Sequence, residues 1–192
     1  MSAGGFHVHG PHDHELEHAA AHSSTKDFAG RLAVATAVIA TVGALFAYMG
    51  GLTQANAGLY KNEAAIKKTE ASNQWNYYQA KSSKQNLAEL AQELAPESRR
   101  AFYVDEIKRY KGEKEVIKKD AEKLEKASDE WSLKSDEQIH QHHRWAQATT
   151  ALQISIAMAA IALLTKSRGL QVGVYALSGV GAALGVLAFL HI

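Results

Sequence analysis

Hydrophobic and polar positions are segregated along this chain into long blocks. Three windows, Leu32 to Leu52, Ala146 to Thr165 and Gly169 to Leu190, contain no Asp, Glu, Lys or Arg; together they hold 63 residues, 45 of them apolar. A hydrocarbon layer about 30 Å thick takes ~20 apolar helical residues to cross, and each window is that long. The first follows a polar tail and exceeds the apolar stretch of a cleavable leader, so it is expected to be a spanning anchor. The remaining sequence has too little apolar surface to bury three such helices in a water-soluble core.

Between the first two windows the pattern becomes polar and heptad-like. A single proline, Pro96, interrupts it within Leu94-Ala95-Pro96-Glu97-Ser98. A helix should stop before that proline and another should start at it. Two arms result, Leu52 to Ala95 and Glu97 to Trp145, each about 65 to 75 Å long at 1.5 Å per residue. In the second arm Tyr103, Ile107, Tyr110, Lys114, Ile117, Ala121, Leu124, Ser128, Trp131, Ser135, Gln138, His142 and Trp145 alternate by four and three, as a coiled-coil seam requires. In the first arm Leu59, Ile66, Asn73, Ala80, Leu87 and Leu94 recur every seven residues, with mostly polar companions at Asn62, Thr69, Asn76, Ser83 and Leu90. That repeat is the expected seam of the first arm; the tip, Leu87 through Tyr110, is expected to pack on its own, and the polar companions predict that neighbouring protomers complete the membrane-proximal stalk.

The expected fold is an all-α membrane protein. Three transmembrane helices carry a long antiparallel helical hairpin, a coiled-coil-like stalk, inserted between the first and second. Residues 1–26 form a histidine-rich polar tail, 27–52 the first transmembrane helix, 53–145 the stalk with its turn at Pro96, 146–165 the second transmembrane helix and 169–190 the third.

Composition changes the picture only when taken by segment. The averages, 46% apolar and net charge +1, describe an ordinary soluble domain. Yet all 41 charged residues lie outside the three windows, and Lys61 to Arg144 carries 17 basic against 16 acidic residues. A soluble globular enzyme is not expected, nor a disulfide framework, since there is no cysteine. The near-zero net charge argues against nucleic acid as a partner. Lys166 and Arg168 between the second and third windows, with Lys26 and Arg31 before the first, favour a cytoplasmic position for those regions by the positive-inside rule and the other side for the stalk; only these four basic residues decide it, and the opposite orientation is the alternative.

Candidate chemistry concentrates at the start of the chain. His7, His9, His12, His14, His18 and His22 are interleaved with Asp13, Glu15 and Glu17. Imidazole and carboxylate are ligands for zinc, nickel and copper, and the four-residue steps from His14 to His18 to His22 put three imidazoles on one face of a helix. His14-Glu15-Leu16-Glu17-His18 also fits the zinc-protease pattern H-E-x-x-H. In a tract this rich in His and Glu the match is expected by chance, and no apolar domain is left to wall a cleft. A second cluster, His140, His142 and His143, precedes Arg144 and Trp145, which with Tyr60 are expected as membrane-interface anchors. No ionisable residue occurs at mid-span, which counts against a proton relay or ion-coupled transporter formed by one protomer. Gln153 and Ser155, beside Thr149 and Thr150, could hydrogen-bond between helices or line an oligomeric pore. Gly43, Ala47 and Gly51, and likewise Gly181 and Gly185, have the small-xxx-small spacing that lets helices approach closely.

The segment Ala71-Ser72-Asn73-Gln74-Trp75-Asn76-Tyr77-Tyr78-Gln79-Ala80-Lys81-Ser82-Ser83-Lys84 resembles the signature of a bacterial membrane-protein family catalogued as domain of unknown function (DUF) 4337. Gln147 and the run Leu152-Gln153-Ile154-Ser155-Ile156-Ala157 are similar to it too, as is the order span, helical insert, span, span. The resemblance covers about Leu32 to Leu190 and implies a bacterial inner-membrane protein; it implies no cofactor or catalytic residue. Within the signature Trp75, Tyr78 and Ser82 share a helical stripe, where aromatic side chains are expected to pack against another helix, and Trp131 on the opposite arm is expected to pack likewise. The functional expectation is a homo-oligomer among membrane lipids, structural or organising and not an enzyme, with the stalk as its assembly or partner surface. The alternatives are metal handling by the tail and an oligomeric channel lined by the second span.

Overall fold

The computed structural model describes residues 28–191, and these are helical apart from two short links and the final turn. Helix α1 spans Phe28–Leu94, α2 Glu97–Thr165 and α3 Arg168–Phe189. Each contains a stretch long and apolar enough to cross a membrane. Ala95 and Pro96 separate α1 from α2, where the amide of Arg99 donates to the Pro96 carbonyl at 2.9 Å and Arg100 pairs with Glu97 at 3.0 Å. The second link is also two residues long. Lys166 takes a left-handed φ of 51°, and the Ser167 hydroxyl then caps α3 by accepting from the Leu170 amide.

The chain divides into two compact units, residues 51–142 and the remainder. In the first of these, α1 and α2 meet along small residues. Ala57, Ala64 and Ala71 are buried on α1; Ala121, Ser128 and Ser135 are buried on α2. The Ser128 hydroxyl donates to the Ala64 carbonyl at 2.8 Å, and seven residues further on Ser135 donates to Ala57 at 2.9 Å. Lys68 pairs with Glu125 at 3.2 Å and Tyr60 stacks on Trp131 at 5.4 Å. Partner numbers fall on α2 as they rise on α1, so the two helices run in opposite directions within this unit. Each serine is buried, and its bond to a backbone carbonyl of the facing helix offsets the loss of water. That bond forms only where alanine lets the backbones approach.

This arrangement corrects the expected seam of the first arm. Every residue of the predicted second-arm repeat is buried or half-buried, but on α1 Leu59, Ile66, Asn73, Ala80, Leu87 and Leu94 are all exposed. The buried phase lies two residues earlier in the heptad, at Ala57, Ala64, Ala71, Tyr78 and Gln85, with Tyr60, Lys67, Lys81 and Ala88 between. A leucine at the Ala64 position would hold α2 too far away for Ser128 to reach its carbonyl.

The second unit contains the three apolar stretches. Its core consists of Leu32, Ile39, Leu152, Ala159, Ala162 and Val174, flanked by Phe28, Phe46 and Met158. Leu152 of α2 sits between glycines of the other two helices: a β-carbon at Gly43 would lie 3.7 Å from it, and one at Gly181 would clash with it at 2.7 Å. Phe46 similarly occupies the space a side chain at Gly185 would need. Five hydroxyls here turn back on their own helices. Thr36, Thr41, Thr150, Ser155 and Thr165 each donate to the carbonyl four residues earlier.

Replacing Ala64 by leucine is expected to overpack the α1–α2 contact and strand the Ser128 hydroxyl, lowering stability by about 1–3 kcal/mol. Thermal melting of the detergent-solubilised chain, followed by far-ultraviolet circular dichroism, measures this; an unchanged midpoint would show that the close approach is unimportant.

Candidate functional site

The signature segment on α1 faces the part of α2 that carries Tyr110, Glu113 and Lys114, and it brings aromatic rings and charges together in alternation. Trp75 and Tyr78 meet edge-on, 5.7 Å apart. Lys114 reaches across from α2 to the Tyr78 ring at 5.2 Å. Lys81, which falls on the buried phase of the heptad, keeps only 15% of its side chain exposed. Its Nζ lies 5.1 Å from the Tyr77 ring and 5.7 Å from that of Tyr110, and it pairs with Glu113. Arg109 extends the group, 4.9 Å from the Tyr110 ring, with one nitrogen 2.6 Å from Glu106 and another 3.7 Å from Glu113.

Electrostatically these groups hold each other charged. The Lys81 ammonium is raised above its ordinary pKa by its bond to Glu113 and then by Tyr77, against the lowering effect of burial. Glu113 is held below the ordinary carboxylate range chiefly by Lys81, with Arg109 adding to the effect. A lysine kept protonated in this way is a poor nucleophile at neutral pH. Its chemistry here is that of a latch: one cation clamped between two rings and a carboxylate, tying α1 to α2 where alanine no longer lines the contact. Beside it an open groove is lined by Lys84, Leu87, Ala88, Phe102, Tyr103 and Glu106.

The sequence profile of the family described as a domain of unknown function (DUF4337) matches residues 28–191. The chain belongs to the DUF4337 family. No curated protein matches it, and no solved structure does. In this DUF4337 chain the signature's Tyr78 meets Lys114 of the facing helix, and its half-buried Lys81 pairs with Glu113 across the same contact.

The other expected site residues fall in different places. Trp131 stacks on Tyr60, with Lys134 Nζ 4.3 Å above its ring. Tyr60, expected to face a lipid interface, therefore packs on the opposite arm. Trp145, expected as an anchor of the same kind, is only 4% exposed and tilts against Phe46 at 5.3 Å, because the glycine at position 185 leaves room for that ring pair. Arg144 is half-buried, with Nη1 shielded from water and unpartnered. Gly43, Gly181 and Gly185 make close approaches within the chain, whereas Ala47 and Gly51 are exposed. Ser155 is buried with its hydroxyl used within α2, while Gln153 faces outward. His7, His9, His12, His14, His18 and His22 lie outside the described residues. Among the described residues no three His, Asp or Glu side chains are grouped as metal ligands.

The Lys81–Glu113 latch escaped the sequence reading because its lysine sits on the phase assigned to the outside. The signal was present: Gly43, Gly50, Ala57, Ala64 and Ala71 recur every seven residues, and Lys67 and Lys81 share the complementary phase of that repeat.

The latch predicts an acid-sensitive contact. The contribution of Glu113, whose folded pKa is lowered, is complete above the unfolded carboxylate value and is lost as pH falls below about 4. That of Lys81, raised when folded, is complete below the unfolded lysine value and lost only as pH rises beyond about 10.4. Acidification from about pH 7 to about pH 3 should therefore lower the melting midpoint more in the native chain than in Glu113→Gln. Equal shifts in the two proteins would remove the latch from the account.

Proposed function

We propose that this DUF4337 protein is a homo-oligomer of the bacterial inner membrane with a structural or organising role. Three transmembrane helices anchor a hairpin stalk that serves as its assembly surface. The observation that carries this reading is the apolar surface left on a water-facing, highly charged unit. Leu59, Leu87 and Leu94 are 63%, 66% and 77% exposed, although Lys61 to Arg144 is otherwise dense in charge. Large exposed apolar side chains in a regular row are the usual mark of a protein contact. Lys26, Arg31, Lys166 and Arg168 support a cytoplasmic tail and a periplasmic stalk.

Light scattering of the protein in mild detergent, corrected for bound detergent, should give a multiple of the 20.8 kDa protomer. A mass of one protomer overturns the proposal.

A second reading rests on the tail, whose six histidines and interspersed carboxylates supply ligands for zinc, nickel or copper. Calorimetric titration of the full chain with each metal should show binding that disappears when all six histidines are changed to alanine. Affinity no tighter than about 100 μM would dismiss metal capture.

A further inference from the structure

The corrected seam turns a failed expectation into an identified surface. With Ala57, Ala64 and Ala71 facing α2, the opposite side of α1 comprises three rows of the heptad. One row is Gly51, Gly58, Ala65, Ser72, Gln79, Asn86 and Glu93; the next is Leu52, Leu59, Ile66, Asn73, Ala80, Leu87 and Leu94; between them run Ala55, Asn62, Thr69, Asn76, Ser83 and Leu90. All 20 residues are exposed, and Glu93 at the far end is the only charged one. The stretch 51–92 of α1 nevertheless carries eight charges: Lys61, Glu63, Lys67, Lys68, Glu70, Lys81, Lys84 and Glu89. Every one of them lies on the remaining faces. A helix in water has no reason to clear charge from a third of its circumference over about 63 Å unless that face meets another protein surface.

We propose that this charge-free face of α1 is the seam between protomers, packed against the same face of a second copy running parallel to it. The proposal rests on the reading of the protein as a membrane-anchored oligomer. Copies inserted in one orientation stand parallel, and equivalent residues then meet at equal height.

Three features of the face suit a second copy. First, a symmetric contact brings each residue against its own equivalent or a near neighbour, so any charge on it would repel itself; this face has none over residues 51–92. Its mid-height polar residues are amides and hydroxyls, groups that both donate and accept and so can pair with themselves, as seam asparagines do in parallel coiled coils. Second, the flanks are complementary. On one side of the face stand Lys61 and Lys68, and on the other, at nearly the same height, Glu63 and Glu70; further along Glu89 and Lys84 occupy the same two sides with the signs exchanged. Parallel packing sets the left flank of one copy against the right flank of the next, and all three levels then join opposite charges. Lys68 and Glu70 already pair within the chain, with Glu125 and Lys67 respectively, so an interprotomer contact would extend these pairs into a network. Third, the extent fits: a stable interface takes about 20–30 residues a side, and this face presents 20.

The absence of cysteine from the chain makes the test direct. Single substitutions Asn62→Cys, Asn76→Cys and Leu90→Cys along the centre of the face are oxidised in native membranes beside Lys111→Cys and Asp120→Cys, exposed residues of α2. Covalent dimers should form at the three face positions and not at the two controls. Adding Asn62→Lys together with Asn76→Lys should shift the detergent-solubilised mass from the oligomer to the protomer while the helical circular dichroism is unchanged, since both residues are exposed in the single chain. An oligomeric mass with cross-links at the controls, or with none on the face, would overturn this seam and leave the oligomer standing. A protomer mass for the unsubstituted protein would overturn both.

Discussion

The close approach of α1 and α2 at Ala57, Ala64 and Ala71 governs the charged unit, residues 51–142. Two buried serines from the facing helix donate to carbonyls of α1 across this contact, at 2.8 and 2.9 Å. A buried hydroxyl without an acceptor would cost about 1–3 kcal/mol, so the bonds and the small residues require each other. Once these alanines face α2, the rotation of α1 about its axis is set for the whole unit. Lys81 is then turned inward towards Glu113, Tyr60 meets Trp131, and the row from Leu52 to Leu94 is turned outward.

The apolar unit uses close approach by a different means. Glycine replaces alanine, and the group inserted is a hydrocarbon rather than a hydroxyl: Leu152 enters between Gly43 and Gly181, and Phe46 occupies the space beside Gly185. Where lipid surrounds helices, apolar side chains gain little by leaving it, and contact is driven by fit. Thr36, Thr41, Thr150, Ser155 and Thr165 bond within their own helices, and the close contacts at the glycines are made by carbon. In the charged unit hydrogen bonds between the helices add direction to the contact. One heptad position of α1 reads Leu32, Ile39 and Phe46 in one unit and Thr53, Tyr60, Lys67, Gln74 and Lys81 in the other.

Much of this was legible in the residues. Charge-free windows mark the apolar stretches because a single charge at their centre would be costly, and Pro96 marks the break because it cannot continue α1. The second-arm heptad was readable since its large residues, from Tyr103 to Trp131, do face α1. The first arm misled for a physical reason. Leucine spaced by seven usually signals the buried seam, yet here the buried positions are small, and smallness carries almost no hydropathy signal. The Lys81 latch was lost with it, because a lysine is placed on a buried face only after that face is known.

The sequence by itself determined which segments are helical, where the chain breaks, which stretches are apolar enough for a membrane and where six histidines gather. Each depends on local properties: backbone restriction at proline, length and hydropathy of a window, side-chain chemistry. Only the tertiary structure decided which side of α1 is inside. That choice depends on a distance between two backbones, short enough for Ser128 to reach Ala64, and no residue of α1 expresses it alone.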